Sequence, residues 1–157
     1  MTDTVDRTTT TGDAIAEVKD WLADNWDPDL TVAEWWERLG TSGWAVPTWP
    51  SAWFGKDLSR AEAVCVQQAI ADFRALPAPG GLGLMLAGPT IAVHGDDDQK
   101  AAYLRDIVTG QKAWCQLFSE PGAGSDLAGL QARAVKDGDE RVVNGQKVAT
   151  SGGHVAA

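Results

Sequence analysis

Apolar side chains recur every three or four positions from residue 13 to residue 112, which is the spacing of one face of an α-helix. In the first of these repeats, Ile15, Val18 and Leu22 fall on one face, with Trp21 at its edge. The period therefore predicts a series of amphipathic helices. They are expected at residues 13–25, 31–40, 59–75, 82–93 and 96–110.

Three of these helices begin with a capping box, in which Ser, Thr or Asp stands three residues before Glu or Gln. The pairs are Thr31–Glu34, Ser59–Glu62 and Asp96–Gln99. Gly40 stands where the second helix is expected to stop, because Gly often ends a helix. The stretch 82–93 is strongly apolar but interrupted by Gly88-Pro89, which predicts a buried, broken helix.

A tryptophan-rich stretch, residues 42–54, follows the second helix and has no helical period. It carries Trp44, Trp49 and Trp53, with two prolines between them. One interpretation is an aromatic wall beside a bound apolar ligand. The favoured interpretation is a buried loop packed onto the helices, because Trp is usually buried for packing reasons.

The period changes at Ala113, after which short apolar runs alternate with turn residues. Asp137-Gly138 and Asn144-Gly145 are hairpin signals. The pattern predicts an α+β protein, with an N-terminal all-α helical domain followed by the opening strands of an antiparallel β domain. Strands are expected at residues 113–119, 131–136, 141–143 and 146–150. The expected divisions are a disordered polar lead (1–12), the helical domain (13–112) and a partial β domain (113–157).

Composition narrows the functional classes. The 157 residues suffice for a real core, and the net charge of −9 argues against nonspecific nucleic-acid binding, which needs a basic surface. Cys65 and Cys115 are too few for a disulfide framework and stand in apolar patterns, so buried free thiols are expected. No apolar run is long enough for a membrane span, and residues 1–13 lack a signal peptide's apolar core. A cytoplasmic protein without a membrane or metal site is expected.

The residues best suited to ligand binding lie in a glycine-rich turn that follows the run Ala113–Phe118. Pro121 breaks that run, and Gly122 and Gly124 can adopt positive φ and let a ligand approach the backbone. Successive N–H groups in such a turn can form an anion site. The turn is neither a P-loop nor a G-x-G-x-x-G loop. A plain tight turn between strands, capped by Ser and Asp, remains the alternative.

The residues Ser119 to Gly129, Ser-Glu-Pro-Gly-Ala-Gly-Ser-Asp-Leu-Ala-Gly, resemble a signature of the acyl-CoA dehydrogenase family. A second stretch, Val142–Val148 followed by Thr150-Ser151-Gly152, is similar to that family's second flavin-contacting segment, at the family's usual distance from the first. The resemblance implies α,β-dehydrogenation of an acyl-CoA thioester with FAD as cofactor. It also implies an electron-transferring flavoprotein as acceptor, and a homo- or hetero-oligomer.

The resemblance assigns roles to individual residues. Gln116, Leu117, Phe118 and Ser119 would line the flavin's pyrimidine edge, and the turn with Gly124 and Ser125 would lie by the pyrophosphate. Ser125 would also reach the acyl-CoA. Thr150 and Ser151 would face the isoalloxazine. Ordinary serines and threonines at strand ends are the alternative.

Several features depart from the family pattern. Ala149 stands where the family usually has a Trp that covers part of the flavin, and Arg141 stands where an aromatic residue is frequent.

His94 and His154 are interpreted as structural and surface residues. No Asp or Glu matches the family's catalytic base, so no catalytic residue is assigned. Glu120 is interpreted as structural.

The expectation is therefore a truncated N-terminal portion of an acyl-CoA dehydrogenase, inactive by itself. A non-catalytic flavin- or acyl-CoA-binding subunit that acts only with a fuller partner is the alternative, and a decayed remnant without function is a third. The acyl-chain specificity stays open.

Overall fold

A computed structural model describes residues 11–156. The chain divides into two compact units, Met1–Lys112 and Ala113–Ala157. The first unit contains α-helices and the second a two-stranded antiparallel sheet, so the predicted fold class is confirmed. The helices are α1 (Thr11–Asn25), α2 (Val32–Ser42), α3 (Arg60–Asp72), α4 (Gly88–His94) and α5 (Asp97–Val108), and the strands are β1 (Arg133–Asp137) and β2 (Glu140–Asn144). Most of the predicted lead, residues 1–10, lies outside the described residues.

The core of the helical unit forms where the apolar faces of α1, α2 and α3 meet. Val18 and Leu22 of α1, Leu39 of α2 and Val66 of α3 are fully buried. Trp35 of α2 is 1% exposed, and its indole N–H donates to the carbonyl of Leu76 at 2.6 Å. The predicted helical period therefore identifies the face that is buried.

All three capping boxes are present, with both hydrogen bonds of each box formed. The predicted stop at Gly40 is wrong, because α2 continues to Ser42 and Gly43 adopts the left-handed conformation at φ 88°. Gly40 has a packing role instead: a Cβ there would lie 2.6 Å from the carbonyl oxygen of Val108. The absence of a side chain lets α2 lie directly against the end of α5.

The other predicted helix ends differ by a few residues. α1 begins at Thr11, two residues before its predicted start. α3 ends at Asp72 rather than near residue 75, because Arg74 turns the chain with a positive φ of 59°. α5 ends at Val108, and Gly110 follows with a positive φ.

The tryptophan-rich loop packs onto the helices, in agreement with the favoured interpretation of a buried loop. Trp44 and Trp49 are 3% and 8% exposed, and Trp44 belongs to the same core cluster as Val18 and Leu39. The Lys56 ammonium group lies 4.1 Å from the centre of the Trp44 ring, a cation–π distance.

The break predicted within the stretch 82–93 is wrong, because a π-helical turn, Gly83–Ala87, continues without interruption into α4, which accommodates Pro89 in its first turn. The prediction that its large apolar side chains are buried is wrong, since Met85 and Val93 are 77% and 72% exposed. The segment packs through glycine instead. Gly88 is buried, and a Cβ there would lie 2.5 Å from the ring of Trp49.

In the second unit, β1 and β2 pair from Arg133↔Asn144 to Asp137↔Glu140. The hairpin predicted at Asp137-Gly138 is confirmed, with Gly138 and Asp139 as its two-residue loop. Gly138 has a φ of 60°, and positive φ at the first loop position alone is the pattern of a type II′ turn.

The other strand predictions in this unit are wrong. Residues 113–119 and 146–150 are not strands, and Asn144-Gly145 does not form a hairpin turn. An apolar run becomes a strand only when its backbone finds a ladder partner. Within residues 113–156, the run 113–119 has an isolated bridge, Ala113↔Ala156, but no ladder. Gly145 serves close packing instead, because a Cβ there would lie 2.5 Å from the Cβ of Ala132.

Cys65 and Cys115 are free, as predicted, but only half-buried. No helix within residues 11–156 is both long and apolar enough to cross a membrane.

Candidate functional site

The glycine-rich turn is closed by a pair of backbone hydrogen bonds. The N–H of Glu120 donates to the carbonyl of Ala123 at 2.9 Å, and the N–H of Ala123 donates to the carbonyl of Glu120 at 3.1 Å. Pro121 and Gly122 occupy the two central positions. Gly122 and Gly124 do not use the positive φ that glycine permits, but a Cβ on either would meet nothing within 4 Å. The backbone of this turn is therefore open to a ligand.

The Glu120 side chain organises the unit beneath this turn. It is 7% exposed, and its two carboxylate oxygens accept from the N–H groups of Gln131 at 2.7 Å and Ala132 at 3.0 Å. The ammonium of Lys147 donates to the same carboxylate at 2.8 Å. The hydrogen bond from Lys147 and then that from Gln131 lower the pKa of Glu120 from 4.5 to about 2, although burial opposes this shift. Glu120 is therefore a structural carboxylate, as predicted.

Lys147 and Val148 connect the first motif to the second. The Lys147 ammonium also donates to the carbonyl of Phe118 at 3.0 Å, and the Val148 N–H donates to the carbonyl of Ser119 at 2.9 Å. These two bonds join stretches that are 29 residues apart in sequence. The chain thus brings the end of the run 116–119 next to the start of the stretch 148–151.

The four predicted residues of the first stretch remain partly accessible. Gln116 and Ser119 are half-buried, whereas Leu117 and Phe118 are 56% and 50% exposed. These apolar side chains are therefore not part of a packed core within the described residues. Such exposure is compatible with a surface that a flat ring system could cover.

The predicted residues of the other two stretches lie in turns. Gly124 and Ser125 are exposed, just beyond the closed turn. Ala149 has a positive φ of 54°, and the Thr150 carbonyl accepts from the N–H of Gly153 at 3.1 Å. Thr150 is half-buried and Ser151 exposed. The bonds from Lys147 and Val148 bring the 118–119 and 147–148 backbones together, and Ala149, Thr150 and Ser151 follow directly in sequence.

Sequence reasoning did not identify Lys147 as a connecting residue. The available signal was a charge pair: an acidic residue inside the first motif and a basic residue inside the second. A cavity of about 460 Å³ also lies in this unit, lined by residues 120–122, 129, 131–132 and 144–146. It contains none of the predicted flavin residues. Among residues 11–156, no group of His, Cys, Asp and Glu side chains could hold a metal ion.

Comparison with known proteins gives consistent matches. A family model described as "Acyl-CoA dehydrogenase, N-terminal domain" matches residues 7–111. The acyl-CoA dehydrogenase IpdE1 of Mycobacterium tuberculosis is 35% identical over 158 aligned positions, covering 90% of this chain and 41% of the relative. FadE34 of the same organism is 39% identical, over 75% of this chain and 16% of its own length.

Solved structures agree with this result. The Tcur3481–Tcur3483 steroid ACAD G363A variant is 31% identical with a TM-score of 0.63, over 93% of this chain and 41% of that one. The ChsE4–ChsE5 complex from Mycobacterium tuberculosis is 30% identical with a TM-score of 0.62, over 93% and 40%. The chain thus spans less than half the length of these relatives. Because the family model covers more than half of its residues, the chain belongs to the acyl-CoA dehydrogenase family and carries that family's N-terminal domain.

Proposed function

We propose that this chain is the N-terminal portion of an FAD-dependent enzyme that desaturates an acyl-CoA thioester between its α and β carbons. One observation carries the proposal: the chain holds its two flavin-motif stretches together through the Val148 N–H bond to Ser119. A flavin site needs both stretches in one place. Family membership supports the reaction class.

The described residues fit a flavin. The backbone at Gly122 and Gly124 is open, so a pyrophosphate could approach its N–H groups closely. Ser119 and Ser125 carry hydroxyls that donate and accept hydrogen bonds. The exposed face of Phe118 provides an apolar surface for a ring.

Specific roles follow for the residues of the site. Gln116, Leu117, Phe118 and Ser119 bind the pyrimidine edge, chiefly through backbone groups and the Ser119 hydroxyl. The turn with Gly124 and Ser125 holds the pyrophosphate, and Ser125 also contacts the acyl-CoA. Ala149, Thr150 and Ser151 bind beside the isoalloxazine.

FAD, when bound, supplies the acceptor for the hydride that leaves the β-carbon. The chain's own contribution is to bind and orient. Backbone donors beside the flavin's pyrimidine edge would favour negative charge there. The reaction also needs a carboxylate to remove the α-proton, and we assign that role to no residue of this chain. Glu120 is unsuited to it, because its carboxylate is already engaged by Lys147 and two N–H groups.

A non-catalytic role in a larger assembly is the second candidate. Ala149 favours it, because a methyl group cannot cover a flavin ring as a larger aromatic side chain could. The chain would then bind flavin or acyl-CoA and act with a fuller partner subunit, and the ChsE4–ChsE5 complex is a relative that assembles from two named components. We further propose a homo- or hetero-oligomer in the cytoplasm, with an electron-transferring flavoprotein as acceptor.

The test is to purify the chain, incubate it with FAD, separate free flavin by gel filtration and record the visible spectrum. The retained sample is then assayed with acyl-CoA thioesters and an artificial electron acceptor. Retention of one FAD per chain without turnover of the acyl-CoA supports a flavin site in a chain that lacks the catalytic base. Turnover by the chain alone contradicts the assignment of no catalytic residue, and a protein peak without flavin contradicts flavin binding by this chain.

A further inference from the structure

Glu120 and Lys147 form a connected pair to which the proposed function assigns no role in binding or catalysis. The Lys147 ammonium donates to the Glu120 carboxylate at 2.8 Å and to the Phe118 carbonyl at 3.0 Å. The same carboxylate accepts the N–H groups of Gln131 and Ala132. One ion pair therefore connects three segments of the second unit. They are residues 118–120, residues 131–132 just before β1, and Lys147, which lies just before Ala149.

Burial makes this pair interdependent. The side chain of Glu120 is 6% exposed and that of Lys147 is 25% exposed. A carboxylate removed from water to this extent is costly unless it is paired and hydrogen-bonded. Removing the ammonium would leave the Glu120 charge with only two backbone donors, so the chain around it would have to move or admit water.

The flavin-motif stretches lack a regular ladder that could hold them in register. Neither residues 113–119 nor residues 146–150 form a strand. The backbone bond from Val148 to Ser119 lies directly beside the Lys147 contact with Phe118. The position of the first stretch relative to the second therefore depends on this short row of bonds.

We propose that Glu120 and Lys147 are positioning residues, which fix the Phe118 and Ser119 backbone against residues 148–151 and thereby set the shape of the flavin surface. This inference rests on the proposed function for the identity of the ligand. It requires no contact between either side chain and the cofactor. It predicts that the pair affects flavin binding through the backbone it holds.

The test compares Lys147→Met and Lys147→Arg with the unaltered chain. Methionine keeps much of the side-chain length without charge or donor, whereas arginine restores a cation with several donors. Lys112→Met is the matched control, because Lys112 makes a 2.6 Å ion pair with Asp106 in the helical unit. Amide hydrogen exchange is measured without FAD, and the dissociation constant for FAD is measured by quenching of flavin fluorescence.

The inference predicts that Lys147→Met speeds exchange at the Val148 amide at least tenfold and weakens FAD binding at least tenfold. The β1–β2 amides and the helical unit should exchange as in the unaltered chain. Lys147→Arg should recover most of both effects, and Lys112→Met should produce neither.

Unchanged Val148 exchange in Lys147→Met would overturn the inference. So would uniform loss of protection across residues 113–156 in both Lys147 variants, because that result would mean a general structural role. If the unaltered chain does not bind FAD, flavin binding by this chain fails, while the exchange comparison without FAD still decides whether the pair positions the two stretches.

Discussion

Trp35 and Trp36 provide a matched pair for testing what stabilises the helical unit. Each indole N–H donates to a backbone carbonyl of one following segment: Trp35 to Leu76 at 2.6 Å and Trp36 to Pro77 at 2.9 Å. The two differ in burial, because Trp35 is 1% exposed while Trp36 is only half-buried. The same substitution at both positions, Trp→Phe, therefore separates burial from hydrogen bonding.

Trp35→Phe removes part of a ring that packs against two others. The Trp35 ring centre lies 4.6 Å from that of Trp26 and 5.6 Å from that of Trp21. Losing two buried ring carbons at about 0.8 kcal/mol each, together with the indole N–H and its hydrogen bond at about 1 kcal/mol, lowers the free energy of unfolding by about 3 kcal/mol. Trp36→Phe should cost about 1 kcal/mol, because water can reach the freed carbonyl of Pro77.

Urea unfolding of the full chain, followed by the far-ultraviolet circular dichroism of the helices, measures both values. The expected result is a lower midpoint for Trp35→Phe than for Trp36→Phe, with similar urea dependence in both. Equal costs would refute the argument that burial at Trp35 dominates, and a larger cost at Trp36 would show that its exposed hydrogen bond matters more than the core.

Three further predictions follow from other positions. Gly40→Ala should lower the free energy of unfolding by about 1–3 kcal/mol, because its Cβ would lie 2.6 Å from the Val108 carbonyl. Gly80→Ala is the control, because nothing lies within 4 Å of a Cβ at that position. Equal urea midpoints for the two variants would exclude close packing of α2 on α5. Ser59→Ala should lower the free energy of unfolding by about 1 kcal/mol, because it removes the N-cap of α3. Ser51→Ala is the control, because Ser51 caps no helix. An unchanged urea midpoint in Ser59→Ala would contradict a stabilising contribution from the cap. Because the pKa of Glu120 is lowered in the folded state to about 2, its stabilising effect is complete above pH 4.5 and should be lost as the pH falls toward 2. The protection of the Val148 amide, measured as its exchange rate relative to the intrinsic rate at each pH, should therefore fall over that range in the unaltered chain but show no such dependence in Glu120→Gln, and equal protection profiles would contradict the shift.

The sequence predicts the helices well, because helix caps and helical periods depend on residues that are close together in the chain. A capping box needs only two side chains three residues apart, so Thr31, Ser59 and Asp96 could be placed from sequence alone. Gly40 shows the limit of this reasoning. Its role depends on Val108, which is distant in sequence, and a glycine that permits close packing looks the same in sequence as one that ends a helix.

The second unit was harder to predict for the same reason. Asp137-Gly138 sets its own turn, so the hairpin was found. Whether residues 113–119 become a strand depends on a ladder partner, and apolar character alone does not specify one. The motif stretches were found by resemblance, but the Glu120–Lys147 pair that connects them became visible only once the chain was folded.

We propose that residues 116–119, 124–125 and 149–151 form one flavin surface. The most direct test is to titrate the ¹⁵N-labelled chain with FAD and follow every backbone amide by nuclear magnetic resonance. We expect the amides of these three stretches to shift together with one dissociation constant, while those of α1–α3 stay unchanged. Saturable shifts confined to the helical unit, or to the cavity lined by residues 129, 131–132 and 144–146, would contradict it.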